Sequence, residues 1–296
     1  MTIRESIPDR IFNAVNLFIL TMVLIIVIYP LYYVVIASFS DPVMVNTGQV
    51  YFWPKGFNLS GYIRVFANDD IWRGYRNTIF YTGLGTIINL IVTIPAAYAL
   101  SRRDLQGRNF IIALFTITMF FNGGLIPTYL VVKGLHLTNT FWALMLPGAV
   151  GTYNLIVSRT YMQNNIPLEL QEAAIIDGCS NTRLFIRIVV PLSAPIIAVM
   201  ALFYGVGHWN QYFSALLYIS DENLKPLQLV LREILIQSQH MASASASDIE
   251  SMAEQAKLAE SIKYCVIIVS SLPVLVVYPF LQKYFTKGIM LGAIKG

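Results

Sequence analysis

The chain has 296 residues, 56% of them hydrophobic and only 12% charged. A soluble domain carries about 25% charged residues, so a mean hydropathy of +0.62 excludes a disordered chain and argues against a soluble enzyme. The formal net charge of +4 comes from Lys and Arg scattered over short hydrophilic stretches. No basic cluster suits a nucleic acid, whereas a small basic excess suits a membrane protein whose cytoplasmic loops collect Lys and Arg.

Six stretches free of Asp, Glu, Lys and Arg approach or exceed the roughly 20 apolar residues that a spanning helix needs: 11–40, 77–101, 109–132, 134–158, 188–220 and 264–282. His136 and the threonines at 138 and 140 move the start of the fourth to near Asn139. The expected fold class is an all-α polytopic membrane protein with six transmembrane helices. Period-2 alternation of barrel type is absent. The apolar run of the first stretch is too long for a signal peptide, and Ala37-Ser38 makes a poor cleavage site, so it reads as a retained span.

Basic residues near the span ends set the orientation. Residues 102–108 hold three Arg, 159–187 hold three more, and the tail holds Lys283, Lys287 and Lys295. In a six-span chain these segments share a side with the N-terminus and its Arg4 and Arg10. Both termini are therefore expected in the cytoplasm of a plasma-membrane protein, although Lys55, Arg64, Arg73 and Arg76 in the first outer loop dilute the bias. Three regions follow: 1–76 with the first span and an external loop, a transmembrane core over 77–282, and a cytoplasmic tail over 283–296.

The segment from Gln163 to Pro191 is too polar to span, yet it reads as structured. Pro167 suits a first helical position. Apolar residues from Leu168 to Ile176 supply a face, and Gly178 suits the C′ position where the chain turns left-handed. Ser180 or Asn181 can cap a second helix running into the fifth span. The reading is a cytoplasmic helix over 167–178, shaped to dock into a groove on a partner. On the other side of the membrane, 221–263 holds an apolar segment at 227–236 and a capping-box pattern, Ser247-Asp248-Ile249-Glu250, that opens a helix toward the sixth span.

The two cysteines, Cys179 and Cys265, are too few and too far apart for a zinc site or disulfide framework. No CxxC, HExxH, GxSxG or P-loop pattern occurs, so no catalytic residue and no metal site is expected. Polar residues inside spans must face a partner or a cavity. The fifth span offers Tyr204, His208 and Gln211 at helical spacing, with Trp209, Asn210 and Tyr212 on the same turn. Asn122 with Gly123-Gly124, and Tyr153-Asn154, are further candidates. Aromatic rings suit sugar C–H faces, and amides and hydroxyls suit sugar hydroxyls. Packing between helices is the competing reading for each residue taken singly.

The pattern Glu172-Ala173-Ala174, three residues, Gly178, nine residues, Ile188, one residue, Val190-Pro191 resembles the EAA motif of ABC importer permeases, with Val190 where the family carries Leu. Trp209-Asn210-Gln211-Tyr212 and the ending from Lys287-Gly288 to Gly296 look like the carbohydrate, maltose-type branch. Asp41-Pro42 and the stretch from Val50 to Pro54 are similar to permeases for larger oligosaccharides in Gram-positive bacteria. The resemblance implies a type I ABC importer permease that alternates access and does no covalent chemistry. It implies a second permease subunit, two ATP-binding subunits, an extracellular solute-binding protein and an oligosaccharide substrate. No cofactor is expected in this chain, since ATP and Mg would be held by the ATPases. Glu172, Ala173, Ala174, Asp177, Gly178, Ile188 and Pro191 would form the ATPase-coupling element, with Lys287 and Gly288 as tail contacts. The loop 221–263 would touch the binding protein. Two other readings stand beside this one: a polytopic membrane enzyme acting on lipid or glycan, and an amino-acid or peptide permease of the same family.

Overall fold

A computed structural model describes residues 6–243, 262–276 and 279. All regular structure among them is helical. In chain order the helices are α1 (Ile7–Ser38), α2 (Pro42–Asn46), α3 (Ser60–Ala67), α4 (Asp69–Ser101), α5 (Arg108–Phe120), α6 (Leu125–Gly134), α7 (Trp142–Met145) and α8 (Thr152–Asn165). They continue with α9 (Leu168–Ile176), α10 (Asn181–Leu184), α11 (Val190–Leu192), α12 (Ala194–Trp209), α13 (Phe213–Tyr218), α14 (Leu227–Ser243) and α15 (Ile262–Val276). The described residues fall into two compact units, one within Met1–Asn68 and Arg232–Leu272, the other within Asp69–Leu231 and Pro273–Gly296.

In the first unit, α1 opens with a capping box. Ser6 Oγ accepts from the Asp9 amide at 3.3 Å, and the Asp9 carboxylate accepts from the Ser6 amide at 3.1 Å. Its 32 residues give a rod of about 48 Å at 1.5 Å per residue, ample for a bilayer. Only Ile36, Ala37 and Ser38 of this helix are buried. The apolar side chains before them are exposed, as a lipid-facing helix requires. Ile36 and Ala37 meet Val45 and Val50 in a small cluster with Tyr33, Met44 and Tyr264.

The second unit is organised by α4. It begins eight residues before the uncharged stretch that announces it, with Asp69 and Asp70 complementing the helix dipole in the first turn. Its buried positions include Ile71, Gly74, Thr78, Tyr81, Gly85, Asn89, Thr93, Ala97 and Leu100, a stripe recurring every three or four residues. Small and hydroxyl- or amide-bearing residues on such a stripe let neighbouring helices approach and hydrogen-bond, and α4 packs chiefly on α12 and α8. Near its start, Asn77 donates to the carbonyls of Asn223 and Lys225, and Thr78 Oγ1 accepts from the Leu227 amide at 2.8 Å.

Three of the six uncharged stretches are broken, contrary to the continuous spans expected. By length and composition α1 and α4 can each cross a membrane, and up to four crossings result if each of two bent pairs counts as one. The third stretch bends by 115° between α5 and α6. Asn122 Oδ1 accepts from the Gly124 amide at 2.8 Å, and Gly124 sits at φ +90°. This local side-chain turn competes with the helix, and a glycine permits the reversal. The fourth stretch breaks at 146–151, around Pro147-Gly148. His136 and Asn139 both take left-handed backbone before it, so Asn139 is a turn residue and helix resumes only at Trp142. The fifth stretch bends by 78° at Ser193. Pro191 cannot donate to Arg187, which accounts for the π-helical turn Phe185–Val189, and the Pro195 ring crowds the carbonyl four residues back. The part of the sixth stretch inside the described residues is α15.

Candidate functional site

The first two of these breaks meet a further one, the gap at 210–212 between α12 and α13, whereas the bend at Ser193 lies elsewhere. A cavity of about 680 Å³ is lined by Asn122 and Gly124 from the first break and by Leu144, Pro147 and Gly148 from the second. Tyr204, Gly207 and His208 of α12, then Asn210, Gln211 and Tyr212 at its C-terminal end, complete the wall. Non-helical backbone at membrane depth persists only where protein buries it or a polar cavity receives it, and interrupted helices commonly build transporter binding sites.

The polar groups of this cavity form two sets. The first is spent on holding the wall. Asn89, 1% exposed, donates both amide protons, to Gly148 O at 2.8 Å and Ala149 O at 2.9 Å. Its Oδ1 can therefore only accept, and it takes the His208 Nε2 proton at 2.7 Å. The His208 ring therefore carries a proton on Nε2. Gln211 Nε2 donates to Leu144 O at 3.1 Å. Tyr204 Oη pairs with Thr93 Oγ1 at 2.8 Å and accepts from the Gly151 amide at 3.1 Å. The carbonyls and amide freed by the α7–α8 break are thus met by α4 and α12. The second set stands open. Asn210 is exposed and donates only to Val206 O of its own helix, at 3.0 Å. Tyr212 is 44% exposed, and Asn122 is exposed at its break.

Six of the nine residues expected on a substrate path therefore line one cavity: Asn122, Tyr204, His208, Asn210, Gln211 and Tyr212. Trp209 points the other way, because consecutive helical residues diverge by about 100°. It is 8% exposed, with its ring 6.3 Å from that of Tyr75, and lines a separate apolar recess with Ile79 and Thr82. Tyr153 and Asn154 lie off the cavity lining. Asn89 and Thr93 are the wall residues that reasoning along the fifth span missed. Their signal was the polar stripe of α4.

The short helix α9 is the second feature. Pro167 is its N-cap rather than its first helical residue. At the other end the Cys179 amide donates to Ala174 O at 2.9 Å and the Gly178 amide to Ile175 O at 3.0 Å. This is the paired bonding of a Schellman motif. Gly178 sits at φ +71° with open space where a Cβ would go, so the demand on it is conformational. Glu172, Ala173, Asp177 and Ile176 are exposed, the last at 85%, while Ala174 is buried. The exposed face thus combines acidic side chains with bare aliphatic surface. Ile188 is half-buried on the π-helical turn, and Pro191 is exposed. Lys287, Gly288 and the rest of 283–296 lie outside the described residues, as does the capping-box pattern at 247–250.

Beneath α9 lies an apolar cluster, which joins Ala174, Leu184 and Val189 to Ala97 and Tyr98 of α4 and to Leu155 and Met162 of α8. Arg102 reinforces the joint. It donates to Asn181 Oδ1 at 3.1 Å and Tyr98 Oη at 3.2 Å, and holds Asp104 in a two-bonded ion pair. Those bonds keep the Asp104 carboxyl below the usual carboxylate range. Through Ala174, α9 thus touches the cluster shared by the helices that carry the cavity wall. Arg102→Ala should loosen this joint and lower the melting temperature of the purified protein.

Comparison with known proteins agrees with this architecture. The family "Binding-protein-dependent transport system inner membrane component" matches residues 71–247. Protein LplC of Bacillus subtilis (strain 168) is 42% identical over 295 residues, covering 100% of this chain and 98% of that protein. The polygalacturonan/rhamnogalacturonan transport system permease protein YtcP of the same organism is 41% identical, covering 97% of this chain and 99% of that protein. A crystal structure of a bacterial ABC transporter involved in the import of the acidic polysaccharide alginate contains a chain of similar fold, with a TM-score of 0.84 and 31% identity. The match covers 96% of this chain and 100% of that one. The chain therefore belongs to the family of inner-membrane components of binding-protein-dependent transport systems and is a transport component, not an enzyme.

Proposed function

We propose that this chain is one of two permease subunits of an ATP-driven importer that moves an oligosaccharide across the plasma membrane. The convergence of the breaks at 122–124, 146–151 and 210–212 on one cavity that holds open polar side chains carries this reading. In it the uncharged stretches make six crossings with both termini in the cytoplasm. The exposed face of α9 docks on an ATPase subunit, with Glu172 toward a basic partner residue. Ile188 and Pro191 carry the movement into α12. Asn210, Tyr212 and Asn122 meet the sugar, and the Tyr204, His208 and Gln211 bonds hold the wall against it. ATP and Mg are bound by the partner subunits, and an external binding protein delivers the sugar to the side bearing 221–263.

The polygalacturonan/rhamnogalacturonan and alginate relatives favour a carbohydrate over an amino acid or peptide, and favour uronate-containing chains among carbohydrates. No Lys or Arg lies among the residues lining the cavity. A uronate carboxylate would then find its counter-charge on the second permease or in water. The test is uptake of labelled oligogalacturonates and malto-oligosaccharides, two to four residues long, by cells with and without this gene. Loss of oligosaccharide uptake on deletion, restored by the gene in trans, is the expected result. Uptake of every member unchanged by deletion would contradict it.

A further inference from the structure

Gly85 of α4 is buried one turn before Asn89, beneath the imidazole of His208. A Cβ built at Gly85 would lie 2.5 Å from His208 Nε2, 2.7 Å from Cε1 and 2.9 Å from Cδ2. The three struck atoms belong to one planar ring, so the imidazole must shift as a unit away from α4 to admit a methyl group. That shift pulls Nε2 off its 2.7 Å bond to Asn89. His208 borders the sugar cavity, and the ring turned off α4 enters that space.

We propose that Gly85 is a specificity-determining residue. Lacking a side chain, it parks the His208 imidazole against α4 and keeps the cavity open to an extended saccharide. With any Cβ at position 85 the ring occupies cavity volume and presents an unpaired N–H there. Shorter sugars still fit and longer ones do not. Gly85 acts through His208, without touching substrate. The inference rests on the proposed reading of the cavity as the sugar path.

The experiment is a double-mutant cycle in the complete importer reconstituted in proteoliposomes. Uptake of di- and tetragalacturonate, with maltose and maltotetraose as neutral comparators, is measured for wild type, Gly85→Ala, His208→Ala and the double variant. Gly85→Ala should lower the tetramer-to-dimer uptake ratio about tenfold, the scale of a poorly fitting group in a pocket. In the His208→Ala background the same change should leave the ratio unaltered, because the ring is gone. Tyr212→Ala serves as the control for the cavity itself. A ratio unchanged by Gly85→Ala but shifted by Tyr212→Ala overturns the role of Gly85 and leaves the cavity reading standing. A ratio shifted by neither overturns both. A lower melting temperature for Gly85→Ala with an unchanged ratio reduces Gly85 to a packing residue and also overturns the proposal.

Discussion

Reversing the charge of Glu172 should uncouple the transporter. Glu172→Lys changes an exposed side chain on α9 that makes no ion pair among the described residues, so folding and membrane insertion should be unaffected. With α9 docked as proposed, the new lysine would repel a basic partner residue. Disturbing a desolvated charge pair of this kind costs about 2–5 kcal/mol, and sugar-stimulated ATP hydrolysis should fall by more than tenfold. Gly178→Val should fail by another route. A β-branched residue at φ +71° opposes the left-handed turn, and strain there is about 1–3 kcal/mol. The Schellman bonds then give way and the helix loses its fixed end. Gly178→Ala should be milder. Co-purification with the ATPases and sugar-stimulated hydrolysis are the two readouts. Full hydrolysis in both Glu172→Lys and Gly178→Val would remove α9 from the coupling path.

The second large effect separates wall from lining. Asn89→Leu removes the partner of two carbonyls and of the His208 N–H at a partly buried site. Each unsatisfied group costs about 1–3 kcal/mol, so the variant should melt well below wild type and assemble poorly. Tyr204→Phe should show a smaller loss of the same kind, since one hydroxyl joins Thr93 and Gly151. Asn210→Ala and Tyr212→Ala should behave oppositely, with normal assembly and an altered preference among oligosaccharides of different length. Thermal melting of the purified complex and competition uptake measure the two sides. Equal stability loss in Tyr212→Ala and Asn89→Leu would mean that the open set also serves only to pack.

The sequence made α9 legible because its determinants are local. Pro167, the glycine at 178 and the serine at 180 each act within a turn of the residues they cap. The family motif was legible for the same reason. The spans were legible in composition but not in shape. An uncharged run such as 109–132 reads as one helix until the Asn122 side-chain turn and the φ of Gly124 are placed in it. The carbonyls released at 146–151 become tolerable only through Asn89, some 60 residues earlier in the chain. The cavity was half visible for a related reason. Tyr204, His208 and Gln211 share a helix and follow from spacing. Their partners Asn89 and Thr93 lie on α4, and pairing between helices leaves no local trace. Trp209 was drawn in by its neighbours, although its side chain leaves the helix on the opposite side.

The central claim is that the cavity lined by the breaks at 122–124, 146–151 and 210–212 is the path of the sugar. Photo-crosslinking during turnover tests it most directly. A photoreactive phenylalanine analogue is placed in turn at positions 122, 212, 153 and 209 of the assembled importer, which is illuminated with labelled tetragalacturonate and ATP. Labelled adducts at 122 and 212, dependent on ATP and the binding protein, with none at 153 or 209, are the predicted result. Active import with no adduct at 122 or 212, or with labelling confined to 153 and 209, would contradict it.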